Sequence, residues 1–195
     1  MDTNPQSPVM NSAPEPKNKG FWRDTIQFII IAGIIIIPFR MFVAQPFIVN
    51  GTSMDPTFKS GEYLIVDQIT YRFNKPERDS VLIFKYPQEQ NQKFIKRVIG
   101  LPGETISINK GAVTIKNKDN PTGFVLENKY ITHPKQDTLE ITLKENEYYV
   151  MGDNRLESFD SRYWGPLTED LIIGRPLLRL LPLNKIAVFP GDLSK

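Results

Sequence analysis

The chain has 195 residues, with 24 Lys plus Arg against 22 Asp plus Glu and a formal net charge of +2. That length suits one folded domain with appendages, and the near balance of charge, without a Lys/Arg stripe, leaves no nucleic-acid footprint. The lack of cysteine and the single histidine, His133, exclude disulfides, a thiol nucleophile, thiolate zinc sites and a His-rich metal site.

Residues 1–20 carry Pro5, Pro8, Pro14 and Pro16 and almost no apolar side chains. Such a segment buries too little surface to offset its ordering entropy, which predicts a disordered tail. Residues 21–44 then change character. Thr25 to Phe39 is uncharged, and Arg40 is the only charge from Thr25 to Ala44. About twenty helical residues rise roughly 30 Å, the thickness of a hydrocarbon core, which predicts a transmembrane helix. Phe21 and Trp22 suit the headgroup layer at one end, Arg40 can snorkel at the other, and Pro38 kinks or ends the helix.

A buried core helix is the first alternative, but an isoleucine run this pure is rare in one. A cleaved signal peptide is the second, and Phe42-Val43-Ala44 puts a large ring where cleavage wants a small residue. Lys17, Lys19 and Arg23 precede the span, and Lys59 is the first clear positive charge beyond it. The positive-inside rule therefore puts the N-terminus in the cytoplasm and residues 45–195 outside it.

Past Phe47 the pattern is of short strands between turns. Tyr63–Val66, Val81–Phe84, Phe94–Ile99, Thr105–Ile108, Ala112–Ile115, Leu139–Leu143 and Tyr148–Met151 are β-branched or aromatic runs. Gly61, Pro76, Pro87, Pro102-Gly103 and Lys110-Gly111 punctuate them. Ser107 to Val113 reads as a tight hairpin, and Thr138–Leu143 alternates as a half-exposed strand does. The 16 prolines and 12 glycines suit a turn-rich β domain.

Three segments hold chemistry-bearing residues. In Gly51-Thr52-Ser53-Met54-Asp55-Pro56-Thr57, small residues before Ser53 permit close approach of a second backbone, which suits an exposed nucleophile; ordinary loop chemistry gives the same composition. In the strand Phe94-Ile95-Lys96-Arg97-Val98, neighbouring side chains point to opposite faces, so Lys96 shares a face with Phe94 and Val98. A lysine on an apolar face loses hydration and becomes a neutral amine able to act as a base, unless it snorkels from a strand end. Met151-Gly152-Asp153-Asn154-Arg155-Leu156-Glu157-Ser158-Phe159-Asp160-Ser161-Arg162 is a dense polar run with hydroxyls and an Asp160–Arg162 pair; a salt-bridged structural loop is the alternative.

Together these segments resemble the type I signal peptidases, membrane-bound Ser–Lys endopeptidases that remove signal peptides from exported proteins. The matching residues run in order from Arg40 and Gln45-Pro46-Phe47, through Ser53-Met54 with Pro56-Thr57, Phe84-Lys85-Tyr86-Pro87 and Ile95-Lys96-Arg97-Val98 with Gly100-Leu101-Pro102-Gly103, to Gly152-Asp153-Asn154-Arg155 and Asp160-Ser161-Arg162-Tyr163-Trp164-Gly165. Gly174-Arg175 and Pro182-Leu183-Asn184 resemble the family's end.

The resemblance implies a mainly β protein: one N-terminal transmembrane helix followed by an all-β catalytic domain. It implies Ser53 as nucleophile, Lys96 as general base, Ser158 as the hydroxyl that orients the lysine, Asp160 and Arg162 as a supporting ion pair, and Gly152 and Asp153 as a packed turn beneath the site. The oxyanion hole is expected from the Ser53 N–H, with Gly51 as second donor, since glycine stands where some relatives have a serine. Val49, Phe84 and Ile95 are expected to wall a shallow substrate pocket, and Phe84, Phe94 and Met151 to keep water off Lys96. Arg78-Asp79-Ser80 replaces the family's usual Arg-Gly-Asp, and Leu156-Glu157 its more usual Asp-Asn.

The implied reaction needs neither metal nor cofactor. The implied partners are signal peptides of secreted preproteins and the lipid bilayer, with the enzyme acting as a monomer near the export machinery. The implied location is the plasma membrane, single-pass, or a thylakoid membrane. A catalytically silent tethered module would not need Ser53, Lys96 and Ser158 together. A self-cleaving Ser–Lys repressor would bring a DNA-binding domain rather than a membrane span. His133, in a polar stretch outside every motif, reads as a solvated loop residue.

Overall fold

The computed structural model describes residues 19–38, 44–127, 130–131 and 135–192. Residues 1–18 of the expected tail, Arg40 and His133 lie outside these residues, and Lys19 and Gly20, expected in the tail, are helical. The chain divides into two units at Pro38. The first holds helix α1, Lys19–Pro38, in which Ile26, Phe28, Ile29, Ile30, Ile34 and Ile36 are all exposed. Pro38 is its last described residue. Among the described residues no helix is long and apolar enough to cross a membrane. The expected transmembrane helix is thus not confirmed, and Ala44, expected at its end, begins a strand instead.

The second unit is mainly β. Its strands are β1 (Ala44–Ile48), β2 (Tyr63–Asp67), β3 (Val81–Tyr86), β4 (Glu89–Gly100), β5 (Thr105–Asn109), β6 (Ala112–Lys116), β7 (Phe124–Val125), β8 (Thr138–Thr142), β9 (Glu147–Met151), β10 (Leu167–Thr168), β11 (Ile172–Leu181) and β12 (Ala187–Val188). Two short helices interrupt them, α2 (Thr70–Phe73) and α3 (Ser161–Trp164). Among the described residues the larger sheet runs β1-β2-β11-β3-β4-β9-β10, with β12 on β11, and the smaller runs β7-β6-β5-β8. All pairs are antiparallel. Each of the seven expected strands is present within a residue or a few at its ends. The hairpin between β5 and β6 turns on Lys110 and Gly111 at φ 49° and 83°, the left-handed pair that a two-residue connection requires.

Strand β11 was not among the expected strands; it contains Gly174 and Pro176, residues that weaken a strand signal. The sheet accommodates the proline at an irregularity in register between Pro176 and Leu178. Strand β1 tolerates Pro46 because it is an edge, paired only with β2.

The position of the larger sheet explains the site. Along β3, Val81 and Ile83 enter one buried cluster with Val49, Met54, Phe58, Leu64 and Ile95, while Leu82 and Phe84 enter another with Val98, Tyr148 and Val150. Alternate side chains of one strand therefore reach different cores. Strand β4 lies beside β3 and its last six residues are all buried. Lys96 and Arg97, on opposite faces, both lose contact with water, and each needs its own partner.

Candidate active site

The nucleophile segment lies between β1 and β2. Val49 N donates to Glu62 O at 3.0 Å and Gly61 N to Val49 O at 2.8 Å, closing the loop at its base. Met54 and Phe58 are fully buried and anchor it to the core. Gly51 takes φ 89°, which a residue with a Cβ adopts only at a cost. This shape leaves Ser53 half-buried at the surface.

Lys96 comes from β4. Its Nζ lies 2.7 Å from Ser53 Oγ and donates to Ile95 O at 3.1 Å. The residue is 4% exposed. Burial lowers its pKa to about 8, against the opposing pull of the Asp160 and Asp153 carboxylates. An amine poised there is partly neutral at neutral pH and sits within reach of the hydroxyl proton. Phe94 stands 5.3 Å from Nζ by its ring centroid, as the shared strand face predicts. Phe84 pairs with Phe94 across β3 and β4 and is fully buried. Met151 does not shield the lysine: in register it faces Arg97, and it packs in a third cluster with Ile99, Ile106 and Tyr149.

The supporting groups come from the loop after β9. Asp160 receives Arg162 Nε at 2.8 Å and Nη2 at 2.9 Å, a two-pronged pair, and accepts the Gly152 N–H at 3.0 Å. Gly152 is packed so closely that an added Cβ would collide with Ser158 Oγ and the Ser53 carbonyl. Asp153 is fully buried and pairs with Arg97 at 2.7 Å. Asp153 was expected in the packed turn, but Arg97 was given no role and their pairing was not foreseen, although the strand alternation that buries Lys96 also buries its neighbour and demands a carboxylate.

Three further expectations change. Ser158 Oγ is buried but makes no hydrogen bond, so the expected bond to Lys96 is not formed here. The Gly51 N–H donates to Ser60 Oγ at 3.3 Å, while the Ser53 N–H meets no protein acceptor among the described residues. Of the expected pocket walls only Ile95 lines the cleft beside Ser53 and Lys96. That cleft, about 380 Å3, is also bordered by Phe47, Ile48, Asn50 and Phe94. Val49 and Phe84 point into the two cores because strand and loop geometry turns them inward.

The arrangement fits a serine activated by a lysine with no third ionisable group interposed. The substitution at Asp79 leaves its turn intact, since this residue takes φ 65°, the conformation glycine favours.

The sequence pattern of the family described as signal peptidase, peptidase S26, matches residues 22–181. A probable signal peptidase I-1 of Synechocystis sp. (strain ATCC 27184 / PCC 6803 / Kazusa) is 34% identical over 184 residues, 90% of this chain and 91% of that protein. A signal peptidase I of Leptolyngbya laminosa is 35% identical over 192 residues, covering 93% and 91%. A chloroplastic thylakoidal processing peptidase 1 of Arabidopsis thaliana is 33% identical over 164 residues, covering 78% of this chain and 46% of its own length.

Proposed function

The chain belongs to the S26 signal peptidases, and from that premise we propose how its residues carry out the reaction. Its function is that of a type I signal peptidase, a serine peptidase that hydrolyses the bond between a signal peptide and an exported preprotein. The observation that carries the mechanism is the 2.7 Å separation of Lys96 Nζ and Ser53 Oγ on a lysine withdrawn from water.

Neutral Lys96 accepts the Ser53 proton as Oγ attacks the scissile carbonyl. The Ser53 N–H receives the developing oxyanion. The protonated lysine then passes its proton to the leaving amine, which departs as the new N-terminus of the mature protein. Lys96, neutral again, deprotonates a water that hydrolyses the acyl-enzyme. Asp160, Arg162, Gly152 and Asp153 hold the loop against which Ser53 packs. Ser158, whose buried Oγ has no hydrogen-bond partner, is the hydroxyl that orients the lysine once it is charged.

The substrate lies as an extended strand in the cleft bordered by β1 and the middle of β4, with Ile95, Phe94 and Ile48 against small side chains, often Ala, at the first and third positions before the cut. The apolar walls of the cleft support this reading.

The enzyme is membrane-associated, and the finer reading is a single-pass protein with its N-terminus in the cytoplasm. The isoleucines exposed all round α1 support it, because water is a poor solvent for such a surface. A tether confines enzyme and substrate to one surface and raises their effective concentration. The membrane is the plasma membrane or, by analogy with the plant relative, a thylakoid.

The test is to incubate the purified full chain in detergent with a model preprotein and to sequence the new N-terminus. Cleavage directly after a signal peptide is expected. Cleavage elsewhere, or none, contradicts the assignment.

A further inference from the structure

The nucleophile segment and the loop after β9 are tied at three places. Thr57 Oγ1 donates to Asp153 Oδ2 at 2.6 Å, Asn154 N donates to Ser53 O at 3.1 Å, and Thr52 Oγ1 donates to Glu157 Oε2 at 2.7 Å. The first two involve buried partners of the packed turn. The third ends on a residue that no motif assigned, at the position where Leu156-Glu157 departs from the family's usual pair.

The peptide plane between Thr52 and Ser53 contains the Ser53 N–H, the donor for the oxyanion. Its orientation depends on both ends of that plane. The carbonyl end is held because Asp55 N donates to Thr52 O at 3.0 Å. On the far side of Ser53, the next carbonyl is held by Asn154 N. What remains is rotation of Thr52 itself, and the Thr52 hydroxyl on Glu157 restrains it.

Glu157 is in turn fixed to its own loop. Its N–H donates to Asn154 Oδ1 at 3.3 Å, and its Oε2 receives Asn154 Nδ2 at 3.4 Å. Arg162 Nη2 holds the loop from behind by donating to Arg155 O at 2.8 Å and Ser158 O at 3.3 Å. From the Asp160–Arg162 pair the support thus passes by hydrogen bond to Arg155 O, along the chain to its neighbour Asn154, and by hydrogen bonds through Glu157 to Thr52.

We propose that Glu157, acting through Thr52, is a positioning residue that aims the Ser53 N–H at the oxyanion of the transition state. This rests on the reading of Ser53 as nucleophile. Misaiming an oxyanion donor weakens an interaction that matters in the transition state and not in substrate binding, so the loss falls on kcat rather than KM.

The test measures preprotein cleavage by the full chain carrying Glu157→Ala, Glu157→Gln, Thr52→Val, Thr52→Ser and the double change Thr52→Val with Glu157→Ala. Expected are losses in kcat of about tenfold for Glu157→Ala and Thr52→Val, with KM within about twofold. The double variant should be no slower than either single one, because both remove the same bond. Glu157→Gln and Thr52→Ser keep an acceptor and a donor and should recover most of the loss. The midpoint of the pH–rate profile should stay in place, since the base is untouched. Leu156→Ala, in the same exposed loop, should leave kcat unchanged.

Additive losses in the double variant overturn the proposal. So does a shifted pH midpoint shared by Glu157→Ala and Glu157→Gln but absent in Thr52→Val, which marks a through-space charge effect. Ser53→Ala keeps the two failures apart. Cleavage by Ser53→Ala overturns the nucleophile and the proposal with it. An inert Ser53→Ala beside full kcat in Glu157→Ala and Thr52→Val overturns the proposal alone.

Discussion

Arg97 and Asp153 meet through two parallel bonds, Nε to Oδ1 at 2.8 Å and Nη2 to Oδ2 at 2.7 Å, with neither side chain exposed to solvent. Each is the chain neighbour of a site residue, Arg97 of Lys96 and Asp153 of Gly152. The remaining Arg97 donor, Nη1, reaches Asp79 O and Gly191 O at 2.6 Å each, and the guanidinium lies 4.2 Å from the Tyr130 ring centroid. Asp153 also receives Thr57 Oγ1 at 2.6 Å. The pair therefore joins β4, the nucleophile segment and the loop after β9 at one buried point.

Removing one member strands the other in a dry interior. Asp153→Ala or Arg97→Ala should destabilise the domain by about 3–5 kcal/mol. Arg97→Lys should also be costly, because an ammonium cannot reproduce the two-pronged bond. Urea denaturation measures this; a loss below about 1 kcal/mol in both alanine variants would reduce the pair to an ordinary surface contact.

Ser158 separates stability from catalysis. Its Oγ is buried and unbonded, so Ser158→Ala removes a group that contributes no hydrogen bond to the folded state. The urea midpoint should stay the same or rise. Turnover should fall about tenfold if the hydroxyl joins Lys96 during the reaction. Unchanged turnover removes Ser158 from the site.

The buried lysine also leaves a signature in stability. Burial holds its folded pKa at about 8, below the ordinary lysine value of 10.5. Between those values the unfolded chain binds more protons than the folded one, so stability rises with pH. The contribution is absent below about 8 and complete above about 10.5, and amounts to about 3 kcal/mol. Lys96→Met has no such group, so the unfolding free energy of the wild type should rise by that amount relative to the variant's across this window. A constant difference would mean that the amine keeps its ordinary pKa when folded.

Much of this was legible before any coordinates. Strand alternation alone put Lys96 on an apolar face with Phe94, and the β-branched runs marked seven strands because period-two burial is a local signal. What escaped was non-local. Strand β11 hides behind Gly174 and Pro176, and only its place between β2 and β3 makes them tolerable. The partners of Arg97, Thr57 and Thr52 lie 56, 96 and 105 residues away in sequence, and no spacing rule reaches that far. Val49 and Phe84 were expected at a pocket wall, yet the direction of an inward side chain depends on which of two cores its strand face meets. The helix read cleanly as apolar, whereas the strand that begins at Ala44 sets a limit that hydropathy did not.

The central claim is that Lys96 acts as a neutral base toward Ser53. The pH dependence of kcat/KM for preprotein cleavage tests it most directly, with Ser53→Ala as the blank. Activity should climb with pH through a single ionisation near the value of about 8 set by burial of the amine, and Ser53→Ala should be inert at every pH. A rising limb centred near 10.4, where an unperturbed lysine titrates, or cleavage that persists without the Ser53 hydroxyl, would contradict the account.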